Sequence, residues 1–343
     1  MLLTFLKKVF RIEQIYIYLE DNYIGSWIIS EKPNKDGLYE VSSNENAFVK
    51  NVKITSLTND LFIWTSVKGD FKCSNCNSLE SLNGAPKEVG NNFYCKDCSS
   101  LKTLEGAPEK VVNDFDCSEC KSLESLEGAP KEIAKGSFTC KNCNSLKTLK
   151  GAPKKIATGS FHCSYCNSLK TLEGAPDVVK GSFNCAGCNS LKNLKGATKN
   201  VGFSFDCSSC GGLLSLDGAP KSVKKSFYCN KCRSLESLEG APEKVGGEFS
   251  CAYCPSLESL KGAPVIVDGN FYCNYCNSLK TLDGAPEKIG YSFDCSDCPS
   301  LKSLKGAPKE ITKGSFYCSD CGKSFTPRAV EKESKVIKGE IYC

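Results

Sequence analysis

Paired cysteines are the residues of this chain whose type and spacing could do chemistry. The sequence of 343 residues holds 25 cysteines, and 24 of them form twelve Cys-x-x-Cys pairs, from Cys73 and Cys76 to Cys318 and Cys321. The remaining one is Cys343. Thiols at this spacing can bind zinc, form disulfides or exchange redox equivalents, and they can also be buried as small apolar side chains.

The regular recurrence of the pairs favours a ladder of buried thiols. Four-cysteine zinc sites shared between neighbouring repeats would produce a rhythm of two repeats, and the sequence shows a rhythm of one. Disulfides between stacked repeats stay open, because equivalent Cα atoms about 4.8 Å apart lie within disulfide range. A thioredoxin-like role is disfavoured, since it needs one activated pair at a helix N-terminus. We therefore expect no cofactor, and zinc binding remains an alternative.

The cysteine pairs belong to a repeat with the pattern F-x-C-x-x-C-x-S-L-x-x-L-x-G-A-P-x-x-V. Its opening Phe occurs twelve times, with a spacing of 22 residues in eight steps and 23 in three. Phe and the first Cys are two residues apart, so on a strand both point to one side. Gly-Ala-Pro then turns the chain. No unit can bury its apolar residues alone, so the units must stack around a continuous core.

This unit resembles the leucine-rich repeat, L-x-x-L-x-L-x-x-N/C-x-L, with the second Cys in the Asn/Cys ladder position. Its Cys-x-Ser-Leu-x-x-Leu stretch looks most like the Cys-containing, surface-antigen-type bacterial repeats. Its Gly-Ala-Pro form is similar to repeat proteins predicted in tailed bacteriophages and large viruses. The resemblance covers residues 71–326. It implies a β-rich, leucine-rich-repeat-like solenoid of about twelve coils with capped ends, a fold that mostly serves binding.

Three regions follow from the extent of the repeat. Residues 71–326 form the predicted solenoid, residues 1–70 an N-terminal capping region and residues 327–343 a C-terminal cap. Caps are expected because the end coils of a solenoid must be covered.

Within these caps, local patterns predict individual elements. Residues 15–19 and 26–29 are predicted to be strands, and residues 51–70 a degenerate coil of the repeat. Thr326 followed by Pro predicts the start of a short helix. Residues 336–342 are predicted to be a closing strand.

Charge and composition exclude several classes of function. Lys plus Arg number 44 against 39 Asp plus Glu, and only three of the basic residues are Arg, which gives little support for nucleic-acid binding. No apolar run is long enough for a membrane span or for a signal-peptide core. We therefore expect a cytoplasmic protein, in the host cytoplasm if a virus encodes it. We expect no nucleic-acid, membrane or small-molecule substrate partner.

Catalytic motifs are equally scarce. His162 is the single histidine, and nothing in the sequence pairs it with a nucleophile. There is no Gly-rich phosphate loop of the G-x-x-x-x-G-K type and no paired acid motif. The sequence therefore predicts that the protein is not an enzyme.

The residue after each Phe and the two residues inside each Cys-x-x-Cys vary from copy to copy, which predicts an outward-facing surface. Tyr, Ser, Asn and Asp are common there, as in binding loops, although Tyr and Ser also suit exposed strands. We predict that a protein partner binds this face. The candidate residues are Tyr94, His162, Tyr165, Asp206, Tyr228, Tyr253, Tyr272, Tyr275 and Tyr317.

A run of small outward residues predicts a groove in this face. Positions 186–187 and 208–209 hold only Ala, Gly and Ser, between His162 and Tyr165 on one side and Tyr228 on the other. Beside them, Thr198 replaces the Pro of its repeat and two glycines stand at positions 211–212. The function that the sequence predicts is a non-enzymatic protein-interaction scaffold. A structural repeat protein of a virion or a cell surface is the alternative from another class.

Overall fold

The Phe and the Val or Ile of each repeat lie in separate two-residue strands, which stack in register on those of the neighbouring repeats. A computed structural model describes residues 2–50 and 52–343, with side chains from residue 5 onward. The chain divides into two compact units, residues 1–159 and 160–343. Both are β-solenoids, and the predicted β-rich solenoid is confirmed. Asn51, the first residue of the predicted degenerate coil, and Met1 lie outside the described residues.

The first unit begins with a helix and continues with short strands. Helix α1 spans Leu2–Asn22. The strands are β1 (Tyr23–Ile24), β2 (Ile28–Ile29), β3 (Tyr39–Ser43), β4 (Ala47–Val49), β5 (Phe62–Val67), β6 (Phe71–Lys72), β7 (Glu88–Val89), β8 (Phe93–Tyr94), β9 (Lys110–Val111), β10 (Phe115–Asp116), β11 (Glu132–Ile133), β12 (Phe138–Thr139) and β13 (Lys155–Ile156).

The second unit carries the remaining strands and a short helix near its end. Helix α2 spans Pro327–Glu333. The strands are β14 (Phe161–His162), β15 (Val178–Val179), β16 (Phe183–Asn184), β17 (Asn200–Val201), β18 (Phe205–Asp206), β19 (Ser222–Val223), β20 (Phe227–Tyr228), β21 (Lys244–Val245), β22 (Phe249–Ser250), β23 (Ile266–Val267), β24 (Phe271–Tyr272), β25 (Lys288–Ile289), β26 (Phe293–Asp294), β27 (Glu310–Ile311), β28 (Phe316–Tyr317), β29 (Val336–Ile337) and β30 (Ile341–Tyr342).

Each unit pairs these strands into two sheets, which we call the Phe sheet and the Val sheet after the repeat residue they carry. In the first unit the orders are β1-β4-β6-β8-β10-β12 and β2-β3-β5-β7-β9-β11-β13. The β1–β4 and β2–β3 pairs are antiparallel, and the strands that follow pair in parallel. In the second unit the even-numbered strands from β14 to β30 form the Phe sheet and the odd-numbered strands from β15 to β29 the Val sheet.

The parallel register stacks identical residues, so the core consists of ladders. Phe93 pairs with Phe115, and their rings lie 5.0 Å apart and nearly parallel. In the second unit consecutive Phe rings are 5.1–5.5 Å apart, as for Phe183 and Phe205 at 5.2 Å. The repeat Leu residues and both cysteines of most pairs are buried beside them. Offset stacking of aromatic rings adds to the stability that burial provides.

The Gly-Ala-Pro turn depends on a left-handed glycine packed against the neighbouring coil. Gly106 has φ of 83°, and a Cβ placed there would come within 2.3 Å of the backbone nitrogen of Asn83. The turn closes with a hydrogen bond in which the Ala107 amide donates to the Leu104 carbonyl at 2.9 Å. Coils can therefore approach each other closely only where this position has no side chain.

The structure corrects the prediction of a strand at residues 15–19, because this segment lies within α1. Ile15 and Leu19 are four residues apart and fully buried, so they lie on one helical face that packs on the first unit. The aromatic and β-branched residues that suggested a strand are overridden by this packing. The strand predicted within residues 26–29 is present as β2.

Strands outside the twelve repeats extend both sheets, so the number of coils exceeds the predicted twelve. Strand β5, inside the predicted degenerate coil, pairs with β3 and β7. The single closing strand predicted at residues 336–342 is wrong, because this segment forms two strands, β29 in the Val sheet and β30 in the Phe sheet. The predicted helix after Thr326 is confirmed as α2, and the Thr326 hydroxyl accepts a hydrogen bond from the Ala329 amide at 3.3 Å. In the described part of the chain, no helical segment combines the length and apolarity needed to cross a lipid bilayer.

Candidate binding surface

The cysteine pairs lie inside the solenoid and link neighbouring coils. The second thiol of a pair donates a hydrogen bond to the backbone carbonyl of the first Cys of the preceding repeat, as from Cys254 to Cys229 at 3.3 Å and from Cys98 to Cys73 at 3.1 Å. Of the 23 free cysteines in the described residues, only Cys321 is not fully buried. The buried thiol ladder is therefore confirmed.

The structure also bears on the other roles considered for the cysteines, which are disulfide formation, metal binding and redox chemistry. Cys318 and Cys343 form a disulfide, with Cα atoms 4.7 Å apart. Among the residues that the structure describes, no three His, Cys, Asp or Glu side chains cluster as a metal ion would require. Burial raises the pKa of the Cys229, Cys251 and Cys273 thiols well above the ordinary value, so they are neutral and unreactive.

The residue that follows each repeat Phe forms what we call the strand row. Its side chains are half-buried at the candidate positions. Tyr94 lies in the first unit, and the other strand-row candidates lie in the second: His162, Asp206, Tyr228, Tyr272 and Tyr317. Burial and nearby carboxylates raise the pKa of Tyr94 and Tyr272, so both carry neutral hydroxyl groups.

Asp206 has a local structural role in this row. Its Oδ1 accepts a hydrogen bond from the backbone amide of Ser208 at 2.9 Å, and its Oδ2 accepts one from Nδ2 of Asn184 at 3.2 Å. Asp116 and Asp294 bond the amide two residues later in the same way, also at 2.9 Å. An acidic or amide side chain at this position therefore stabilises the turn that follows the strand.

The residue before each second Cys forms what we call the turn row, and its geometry differs from the expected strand. Tyr165, Tyr253 and Tyr275 have φ of 59°, 59° and 56°, in the left-handed region. They follow the two-residue Phe strands instead of extending them. The left-handed turn directs these three side chains outward, and 53%, 46% and 40% of their surfaces are exposed.

Two turn-row tyrosines combine into one exposed aromatic surface. The rings of Tyr253 and Tyr275 are stacked with centroids 4.5 Å apart and planes within 12°. Nζ of Lys231, on the preceding coil, lies 5.9 Å from the centre of the Tyr253 ring. On the other side, a hydrogen bond to the Asp297 carboxylate raises the pKa of Tyr275. Adjacent coils thus order these large side chains before any partner arrives.

A groove of about 870 Å³ runs beside the stacked tyrosines. Ser209 and Gly211 form its floor, where two successive glycines replace the usual Asn-Ser of the repeat. The groove is lined by Asn189, Ser209, Gly211, Lys231, Arg233, Tyr253, Pro255, Tyr275 and Asn277.

This groove is displaced from the one that the sequence predicted between Tyr165 and Tyr228. The Tyr165 ring packs closely against Gly187. A Cβ placed on that glycine would come within 2.5 Å of Tyr165 Cδ1. Of the predicted site residues, Tyr253 and Tyr275 line the groove. Tyr165 therefore covers part of the floor that its small neighbours had suggested would be open.

Sequence reasoning noted Gly211, which follows the second Cys of its repeat, but missed the same position in the next three repeats. Arg233, Pro255 and Asn277 occupy this position in three consecutive repeats and line the groove. A signal was present in the sequence, since Arg233 is the only arginine within residues 71–326.

Comparisons with known proteins give a likeness in structure. No protein-family profile matches the chain, and no curated protein matches it. A leucine-rich repeat protein from Bacteroides ovatus, solved by crystallography, is similar in structure with a TM-score of 0.41 and 18% sequence identity. The match covers 85% of this chain and 89% of that protein.

Proposed function

We propose that the protein is a non-enzymatic interaction scaffold that binds a protein partner in the groove of the second unit. The observation that carries this proposal is the pre-ordered stack of Tyr253 and Tyr275 beside an open groove. Tyrosines supply large contact areas at low entropy cost, and they are enriched among the residues that dominate binding energies.

The charges of the groove indicate the kind of partner segment it accepts. Lys231 and Arg233 are both exposed, and neither belongs to an ion pair found within the described residues. Asn277 adds an amide group that can hydrogen-bond a polypeptide backbone, whereas the Asn189 amide already donates to Asn167 and accepts from the Gly211 amide. A partner segment with an apolar or aromatic anchor for the tyrosines and a carboxylate for Arg233 fits this arrangement.

The buried cysteines support a cellular setting for this role. Apart from the Cys318–Cys343 disulfide, all described cysteines are free, which suits a reducing compartment, so the proposal includes a cytoplasmic location. The zinc-binding alternative gains no support, because the thiols are engaged with backbone carbonyls. The structural-protein alternative requires self-assembly, which sedimentation of the purified chain would reveal.

The experiment is affinity capture with the full chain as bait, compared between the wild-type protein and the double variant Tyr253→Ser/Tyr275→Ser. Removing two central aromatic anchors costs roughly 2 kcal/mol each, so the affinity for a true partner should fall by roughly 1,000-fold. Quantitative mass spectrometry of the captured proteins measures this loss.

A matched control removes an exposed tyrosine away from the groove. Tyr291 is 49% exposed and precedes the Phe strand β26, so Tyr291→Ser changes the same chemistry elsewhere on the second unit. The proposal requires one partner that wild type and Tyr291→Ser retain and the double variant loses. Capture profiles that are identical for all three proteins would contradict it.

A further inference from the structure

Helix α1 exposes a continuous apolar stripe along its first half. Phe5, Leu6, Val9 and Phe10 are 60%, 54%, 46% and 60% exposed. At 100° per residue these four positions fall within an arc of about 140° on one side of the helix. Exposed apolar patches of this kind mark interaction sites, since they are costly to leave in water.

The second half of the same helix is fixed to the first unit by its opposite face. Ile15 and Leu19 are fully buried, and the Tyr18 ring packs edge-on against Phe62 with centroids 5.8 Å apart. The exposed stripe therefore faces away from the side on which the helix is held. Tyr16 and Ile17, at 41% and 55% exposure, lie on the same side of the helix, where Glu13 and Glu20 interrupt the apolar surface.

Positive charge accompanies the stripe. Residues 2–13 contain Lys7, Lys8 and Arg11 and one acidic residue, Glu13, which by helical position lies in the middle of the stripe. By helical position, Lys7 and Lys8 lie on the two borders of the stripe, and Arg11 lies on the polar face. A cleft of about 740 Å³ between the helix and residues 31–39 adds Lys32 to these three cations, and its lining also includes Glu31 and the two stripe residues Phe5 and Phe10.

We propose that this segment of α1 docks on an anionic phospholipid surface. The apolar stripe enters the boundary between headgroups and acyl chains, while Lys7 and Lys8 reach the phosphates on either side. The helix lies in the plane of the surface and does not cross the bilayer. This interaction is independent of the groove in the second unit.

Charge complementarity favours an anionic lipid surface over a second copy of the chain. Lys7, Lys8 and Arg11 outnumber Glu13, the one acidic residue in residues 2–13, so two copies joined through this stripe would keep an excess of positive charge. An anionic bilayer supplies an apolar interior and the opposite charge at once.

Flotation of the full chain with vesicles tests the proposal. We expect the protein to float with vesicles of phosphatidylcholine and phosphatidylserine, to bind phosphatidylcholine alone far more weakly, and to be released by high salt. Lys7→Gln/Lys8→Gln should weaken binding about fivefold for each cation removed. Phe5→Ser/Phe10→Ser should abolish flotation, because it removes the inserted side chains.

Matched controls lie on the exposed surface of the second unit. Lys261→Gln/Lys305→Gln removes two exposed lysines, and Val265→Ser/Tyr291→Ser removes two exposed apolar side chains. Both should float as wild type does, and circular dichroism checks that every variant retains its fold. The proposal is overturned if wild type does not float, if the controls lose as much binding as the α1 variants, or if Phe5→Ser/Phe10→Ser instead abolishes a dimer seen by sedimentation.

Discussion

At the scale of single residues, the second cysteine of each repeat acts as a hydrogen-bond donor within the core. The carbonyl of the first Cys points along the stack, and the thiol of the following repeat donates to it, as Cys276 does to Cys251 and Cys298 to Cys273, both at 3.3 Å. A thiol is apolar enough to be buried and still donates weakly. Cysteine therefore satisfies a buried carbonyl at little desolvation cost.

The ladder predicts how substitutions of Cys254 will rank. Cys254→Ala leaves the Cys229 carbonyl without its donor in a buried site and should lower the free energy of unfolding by about 1–3 kcal/mol. Cys254→Ser keeps a donor of similar size and should lose less. Urea unfolding followed by circular dichroism measures both, and equal losses for Ala and Ser would show that the thiol contributes volume alone.

At the scale of elements, the Gly-Ala-Pro turn sets how closely coils can approach. Gly106 and Gly37 have nearly the same φ, 83° and 80°, but their surroundings differ. A Cβ on Gly106 would collide with the Asn83 backbone, whereas nothing lies within 4 Å of a Cβ on Gly37. Replacing each glycine with Ala therefore separates two contributions to the loss of unfolding free energy. Gly37 reports the left-handed backbone alone, and Gly106 reports the backbone together with the clash.

We expect Gly37→Ala to lower the free energy of unfolding by about 1–2 kcal/mol, the cost of a left-handed residue with a side chain. Gly106→Ala should lose about 1–3 kcal/mol more, because two coils must also move apart. Thermal unfolding of the two variants measures the difference. Equal losses would mean that the coils tolerate a side chain between them.

Helix α1 shows why this element was difficult to predict. Its residues 15–19 alternate aromatic and β-branched side chains, which is typical of strands. The burial of Ile15 and Leu19 on the first unit selects the helix instead. A pattern of five residues fits both periods, and only the surface on which the segment packs decides between them.

At the scale of the whole molecule, the buried thiols make the folded state less stable as the pH becomes alkaline. Burial raises the pKa of Cys254 to about 12 and that of other core thiols well above the ordinary value. Unfolded thiols lose their protons near pH 8.5. Above that pH the unfolded state binds fewer protons than the folded state, so each such thiol destabilises the fold by up to about 1.4 kcal/mol per pH unit.

We therefore expect the urea midpoint of unfolding to be steady below about pH 8 and to fall progressively from about pH 8.5 upward. The fall should be shallower in Cys229→Ala/Cys254→Ala, which removes two of the titrating thiols. Measurements across this range in a reducing buffer give the slope. A midpoint that does not change between pH 8 and pH 10 would contradict the burial of neutral thiols.

The sequence by itself determined the solenoid, the stacking of Phe, Leu and Cys in ladders, and the outward direction of Tyr253 and Tyr275. These features repeat, and a residue that recurs at one spacing meets its own copies when coils stack in register. The packing of α1 and the place of the groove were decided only by the tertiary structure. Both depend on contacts that do not repeat, such as the Tyr165 ring over Gly187 and Arg233 beside the glycine floor. A local pattern cannot specify such contacts, because each is set by the side chains of two different coils.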